Sequence, residues 1–205
     1  NLKKSHNEVL EEIRKISEYI AELDDPKRPE FEGNLSTAFG CTLEGSVSED
    51  KVVKLGAQMM QLGCDEVGLS DTTGYANPNQ IKRLIRLLKK EVGEENLTSM
   101  HLHNTRGLGL ANALASFEEG ITTLDSSLGG IGGCPFAPGA SGNIVTEDLV
   151  FMLDAMGVET GIDIEKLLAV TEKVQSFIPN ESIYGFTKDS GLPKGYEKGW
   201  GIVRG

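Results

Sequence analysis

The run "TSMHLHNTRGLGLANALAS" places His101 and His103 two positions apart, at the end of an apolar stretch and just before a glycine-rich turn. In a strand, residues i and i+2 project from the same face, so the two rings are expected to point into one interior. Paired imidazoles suit a divalent metal: each offers a neutral nitrogen lone pair, and one bound ion offsets the cost of burying both. Taken alone, the pattern is also that of hydrogen-bonded core histidines. It becomes a site when a neighbouring loop adds a carboxylate or carboxamide oxygen.

A second stretch, "GGIGGCPFAPGASGN" at 129–143, is rich in glycine and holds two prolines, a thiol and an amide. Glycine lets backbone approach a ligand closely, while Pro135 and Pro138 restrict the loop. It lacks the G-K-S/T ending of a Walker loop and the spacing of a dinucleotide fingerprint. Cys134, flanked by Gly133 and Pro135, is badly placed to fill a core, and a thiol near a cation suits proton transfer. Cys41 and Cys64 read as packing residues. Asp71 in "LSDTTG" has two readings: a cap for the following turn, or a group bonded to a ligand or to a metal-bound histidine. Arg106 is either a solvated loop charge or an anion clamp.

These residues need elements to hold them. Val9, Leu10, Ile13, Ile16, Ile20 and Leu23 recur at helical spacing before the breaker "DDPKRP". A short strand in "FEGNLSTAFG" follows, then a Ser-capped helix in "SVSEDKVVKLGAQMMQLG" and a strand and turn in "CDEVGLSDTTG". The alternation continues with a helix in "NPNQIKRLIRLLKKEVG", a strand in "LTSMHLH", a helix in "GLGLANALASFEEG" and a strand in "ITTLDSSLGG". Helices are expected in "TEDLVFMLDAMG" and "DIEKLLAVTEKVQSFI", and an irregular tail over 179–205. Strands that alternate with helices are parallel and joined by helical crossovers, so the fold class is α/β.

Each expected strand ends in polar residues aimed at the next loop: Ser36 and Thr37, Asp71 and Thr72, His101 and His103, then Asp125 to Ser127. A small open doubly wound sheet accommodates this order. A (β/α)8 TIM barrel also does, and it draws its chemistry from the C-terminal ends of several strands. Such a barrel takes about 250 residues, so four βα units within 1–178 would be a partial one.

Composition narrows the partners. With 205 residues, 39% of them hydrophobic, the chain can bury a substantial core. A net charge of −11 without a Lys/Arg cluster disfavours nucleic acid and anionic membrane. No apolar run approaches the roughly 20 residues of a membrane span, and the N-terminus has no signal-peptide core. Three cysteines without metal-type spacing point to a reducing compartment, hence a cytoplasmic location. The expected partners are a small-molecule substrate and further copies of the chain, as a homo-oligomer.

The glycine loop with "TEDLVFML" behind it resembles the signature loop of the 3-hydroxy-3-methylglutaryl-CoA lyases, and "HLHNTRGLGLANAL" is similar to their HxHxTxGxxLAN segment. The likeness runs through "FGCTLEG" and "LSDTTG" to about residue 175. It implies a metal-dependent barrel lyase that cleaves a 3-hydroxyacyl-CoA to acetyl-CoA and a keto acid. By matching motif, His101 and His103 would bind Mg²⁺ or Mn²⁺, with Asn143 as a further ligand. Cys134 would be the catalytic thiol, with His101 a second catalytic residue.

The family's first strand carries an Arg-Asp pair, and no such strand precedes Asn1, so roughly the first half of the barrel is expected to be absent, residues 1–178 to be its C-terminal half, and the left end to be a cut. Asn104 and Arg106 replace the Asp and Tyr common after the histidines. Asn34 and Gly68 stand where well-known members carry Tyr and Ser near the acyl group. Substrate contacts are accordingly expected at Asn34, Asp71, Thr72 and Arg106. A Claisen-condensing acyltransferase of the same superfamily is the rival enzyme, although that group lacks the Cys134 loop. An inactive half-barrel serving as a binding or assembly module is the rival outside catalysis.

Overall fold

The computed structural model describes residues 3–24, 26, 28–132 and 142–199. They form two compact units, the first ending at Asp125 and the second beginning at Ser126.

The first unit opens with helix α1 (His6–Ala21), started by a capping box in which Ser5 Oγ accepts from Glu8 N–H and the Glu8 carboxylate accepts from Ser5 N–H. Four parallel strands follow in sheet order β1 (Glu32–Leu35), β2 (Glu66–Asp71), β3 (Leu97–Leu102) and β4 (Thr123–Asp125). Helices α2 (Glu49–Gln61), α3 (Pro78–Val92) and α4 (Gly109–Glu118) are the crossovers between them. The alternation read from the sequence is therefore present, as parallel strands with flanking helices.

Side-chain period divides the sheet. Val67, Leu69, Met100 and Leu102 are fully buried, as are Ile81, Leu84, Ile85 and Leu88 of α3. Complete burial of one such aliphatic side chain contributes about 1.5–3 kcal/mol, so this seam holds the strands in register. Asn77 caps α3 by accepting from Gln80 N–H, and Pro78 occupies its first turn, as expected. The expected serine cap of α2 is present only in position: Ser48 stands at the N-cap without a side-chain hydrogen bond.

On the other face lie Glu32, Asn34, Gly68, Ser70, Ser99, His101 and Asp125, with neighbours paired Asn34 to Gly68, Ser70 to His101 and His101 to Asp125. A register shift between Val67 and Gly68 brings Gly68 opposite Ser99.

The second unit contains α5 (Thr146–Ala155), α6 (Ile164–Phe177) and α7 (Phe186–Ser190), with a parallel bridge between Ser127 and Val145. Ile144, Val145, Leu149, Val150 and Ile164 form its core. Helix α7 lies within the stretch expected to be irregular. It is held by Asp148, whose carboxylate accepts from Phe186 N–H at 3.1 Å and Thr187 N–H at 2.7 Å. Among the described residues no helix is long and apolar enough to cross a membrane.

Candidate active site

Strand β3 brings the histidines together as its alternation requires. Their Nε2 atoms are 3.1 Å apart, and the rings meet edge to face with centroids 5.1 Å apart. His101 is partly exposed, and its Nδ1 lies 3.3 Å from Asp125 Oδ2 on the adjacent strand. That carboxylate favours a proton on Nδ1 and leaves the Nε2 lone pair free. His103 is buried, and among the described residues its Nδ1 has no partner. Burial, and then the nearby His101, depress the His103 pKa, so its ring stays neutral to lower pH than a free histidine.

A divalent ion fits this pair by the chemistry of its donors. Two adjacent ligands, each about 2.1 Å from an octahedral ion, are about 3 Å apart, which is the spacing of the two Nε2 atoms. Among the described residues no group of three or more His, Cys, Asp or Glu side chains could hold a metal.

Asn143, expected as a further ligand, lies in the second unit. Its Nδ2 donates to Ile131 O at 3.1 Å, while its Oδ1 is buried and has no partner among the described residues. Cys134 lies outside the described residues.

The four expected substrate contacts are already engaged within the first unit. Asp71 is buried, and its two oxygens accept from Tyr75 N–H at 2.9 Å and Ala76 N–H at 3.2 Å. Of its two readings, the turn cap is the one whose bonds are present. Burial raises its pKa against the opposing pull of those N–H groups. Thr72 Oγ1 accepts from Thr37 N–H at 3.0 Å.

Arg106 donates to the carbonyls of Thr73 at 3.0 Å and Gly74 at 3.3 Å and lies 4.5 Å above the Tyr75 ring. It is neither a free loop charge nor an uncommitted anion clamp, since it fastens the loop after β3 to the loop after β2. Asn34 accepts from Ser70 Oγ at 2.5 Å and donates to Glu32 Oε1 at 3.2 Å. Glu32 reaches over Gly68 to accept from Ser99 Oγ at 2.8 Å, and a Cβ on Gly68 would stand 2.1 Å from that carboxylate oxygen. Cys64 is buried as expected, and that burial, with Asp65 beside it, pushes its thiol up to about 11.

Two functional candidates escaped the sequence reading. Glu147 is fully buried, with both oxygens 3.1 Å from Gly129 N and one accepting from Thr171 Oγ1 at 2.5 Å. Tyr184 donates through its hydroxyl to Asn143 O at 3.1 Å. The acidic "TED" opening of a helix signals a favourable first turn rather than a buried clamp, and nothing in sequence marked Tyr184.

Comparison with known proteins places this arrangement. The HMGL-like family profile matches residues 1–174. The chain belongs to the HMGL-like family.

Over 190 residues this HMGL-like chain is 36% identical to a hydroxymethylglutaryl-CoA lyase of Bacillus subtilis, covering 91% of the chain and 62% of that protein. It is 45% identical over 138 residues to the (R)-citramalyl-CoA lyase of Chloroflexus aurantiacus, covering 67% of the chain and 43% of that enzyme. Among solved structures, the HMG-CoA lyase of A. baumannii in complex with coenzyme A and 3-methylmalate superposes with a TM-score of 0.86 at 37% identity. That match covers 96% of this HMGL-like chain and 62% of the other. The chain thus spans less than two thirds of each of these relatives. Its four parallel strands are part of the barrel those lyases share.

Proposed function

We propose that this chain is part of a metal-dependent carbon–carbon lyase that cleaves a 3-hydroxy-3-methylacyl-CoA to acetyl-CoA and a keto acid. The observation that carries the reading is the pair of imidazole nitrogens converging at 3.1 Å at the end of β3, with Asp125 behind His101. A relative active on hydroxymethylglutaryl-CoA and another on (R)-citramalyl-CoA support a branched 3-hydroxyacyl thioester as the substrate class.

A bound Mg²⁺ or Mn²⁺ supplies Lewis-acid polarisation of substrate oxygens and so eases loss of the 3-hydroxyl proton. His101 and His103 would hold it as neutral ligands, with Asn143 as an oxygen donor. Depression of the His103 pKa keeps that ring in its ligating form. Asp125 orients His101, and the Asp71 turn and the Arg106 fastening hold the rim loops on either side of the histidines. Cys134 is assigned as the acid that protonates the departing acetyl-CoA carbanion. A cytoplasmic location and self-association complete the proposal.

The test is acetyl-CoA release from 3-hydroxy-3-methylglutaryl-CoA and from citramalyl-CoA by the full-length gene product. His103→Ala is expected to abolish turnover on either substrate. Cys134→Ala turning over at the wild-type rate would reject the assigned acid, and absence of release from both substrates would reject the lyase reading.

A further inference from the structure

The two ends of the glycine-rich stretch are zipped together within the second unit. Ser127 N–H donates to Ile144 O at 3.1 Å, Thr146 N–H to Ser127 O at 2.9 Å, and Asn143 N–H to Gly132 O at 3.0 Å. The backbones approach closer than a side chain permits: a Cβ on Gly142 would stand 2.2 Å from Gly130 O and 2.5 Å from Gly132 O. Asn143 is the last glycine-loop residue in this stem.

Three of its four polar groups are tied down. The backbone N–H goes to Gly132, the carboxamide nitrogen to Ile131 O, and the backbone carbonyl receives the Tyr184 hydroxyl. Only Oδ1 is left, buried and, among the described residues, without a partner. Leaving a buried acceptor unsatisfied costs about 1–3 kcal/mol, and such groups in a well-bonded setting mark places where a ligand completes the bonding. A neutral carboxamide oxygen suits a hard divalent cation.

Tyr184 touches both halves of the stem. Its N–H donates to Gly129 O at 3.0 Å, and its ring covers Gly130 so closely that a Cβ there would fall 2.4 Å from a ring carbon. Its hydroxyl then reaches across to Asn143 O. The segment is fixed in turn by Asp148, which accepts from the N–H groups two and three residues further on. From the other side, the buried Glu147 carboxylate holds Gly129 N–H.

The geometry points to Tyr184 as a positioning residue that locks this stem and aims the Asn143 carboxamide oxygen at a hard divalent cation. The inference rests on the ligand role proposed for Asn143. It adds that a tyrosine 41 residues away in sequence sets that ligand's orientation. Loss of the hydroxyl frees the Asn143 peptide to turn while leaving the ring packing over Gly130 in place.

The experiment uses the full-length protein and two readouts: Mn²⁺ affinity by electron paramagnetic resonance titration, and hydrogen exchange at the Asn143 backbone N–H without metal. Tyr184→Phe is expected to weaken Mn²⁺ binding about tenfold, at the lower end of the range for residues that orient metal ligands, and to speed that exchange. Its melting temperature should stay near the wild-type value. Phe151→Leu, which disrupts stacking on Tyr196 elsewhere in the unit, should lower the melting temperature and leave Mn²⁺ affinity unchanged. Wild-type Mn²⁺ binding with the same affinity in Tyr184→Phe would overturn this inference alone. A wild-type protein that binds no Mn²⁺ would overturn the metal reading and this inference with it.

Discussion

Asp125 Oδ2 stands 3.3 Å from Nδ1 of His101, its register partner on β3, while the far nitrogen of that imidazole faces His103. A carboxylate behind an imidazole fixes its tautomer and raises the basicity of the outward nitrogen. Asp125→Ala is therefore expected to weaken Mn²⁺ binding by about 10–100-fold, with little change in unfolding free energy because the carboxylate is exposed. Isothermal titration of wild type and variant checks it, and equal affinities would remove Asp125 from the site.

His103 gives a pH signature. Its folded pKa lies below the ordinary histidine value, through burial first and the neighbouring ring second. Above about pH 6.5 the ring is neutral in both folded and unfolded chains, and its contribution is fully present. As pH falls below that value, the unfolded chain takes up a proton that the folded ring still refuses, so stability declines until the folded pKa is passed. Urea unfolding from pH 7.5 to 5 should show this decline, and His103→Gln should reduce its slope. An NMR titration placing the His103 midpoint above 6.5 would reverse the sign.

How much of this was readable in sequence follows from the range of each interaction. The stretch from Leu97 to His103 carries its pattern locally, Met100 and Leu102 facing the helices and Ser99 and His101 the polar side, so period alone paired the histidines. Helix α3 announced itself equally locally, through Asn77, Pro78 and four buried aliphatic residues at helical spacing. The partners of Arg106 lie 32 and 33 residues away, and both are backbone carbonyls, which no side-chain pattern can advertise. Glu147 looks like an exposed helix-start acid until Gly129 and Thr171, 18 and 24 residues distant, close over it. Tyr184 sits where composition suggests only irregular chain, and its meaning comes wholly from what it contacts.

Asp71 separates a structural carboxylate from a substrate contact. Asp71→Ala leaves the N–H groups of Tyr75 and the buried Ala76 without acceptors. At about 1–3 kcal/mol for each unsatisfied buried donor, the loss is expected to reach about 2–4 kcal/mol. Asp71→Asn can still accept one of the two bonds and should lose about half as much. Chemical denaturation measures both. If Asp71→Ala were as stable as wild type and only its KM for acyl-CoA rose, the carboxylate would be a substrate contact instead of a turn cap.

Two glycines with left-handed backbones distinguish conformational cost from collision. Gly107, with φ +72°, has nothing within 4 Å of an added Cβ, so Gly107→Ala meets only the intrinsic penalty of that conformation, about 1–2 kcal/mol. Gly142, with φ +98°, would place the new carbon 2.2 Å from a backbone oxygen of Gly130. Backbone cannot swing aside as the end of a side chain can, so the stem around Asn143 must open and forfeit bonds worth about 0.5–1.5 kcal/mol each. Gly142→Ala is thus expected to cost about 3 kcal/mol or more, and to expose the Asn143 N–H to solvent exchange, whereas Gly107→Ala leaves that exchange unchanged. Comparable stability of the two variants in urea would mean that the stem tolerates separation, and the close approach of its two halves would then contribute little to holding Asn143.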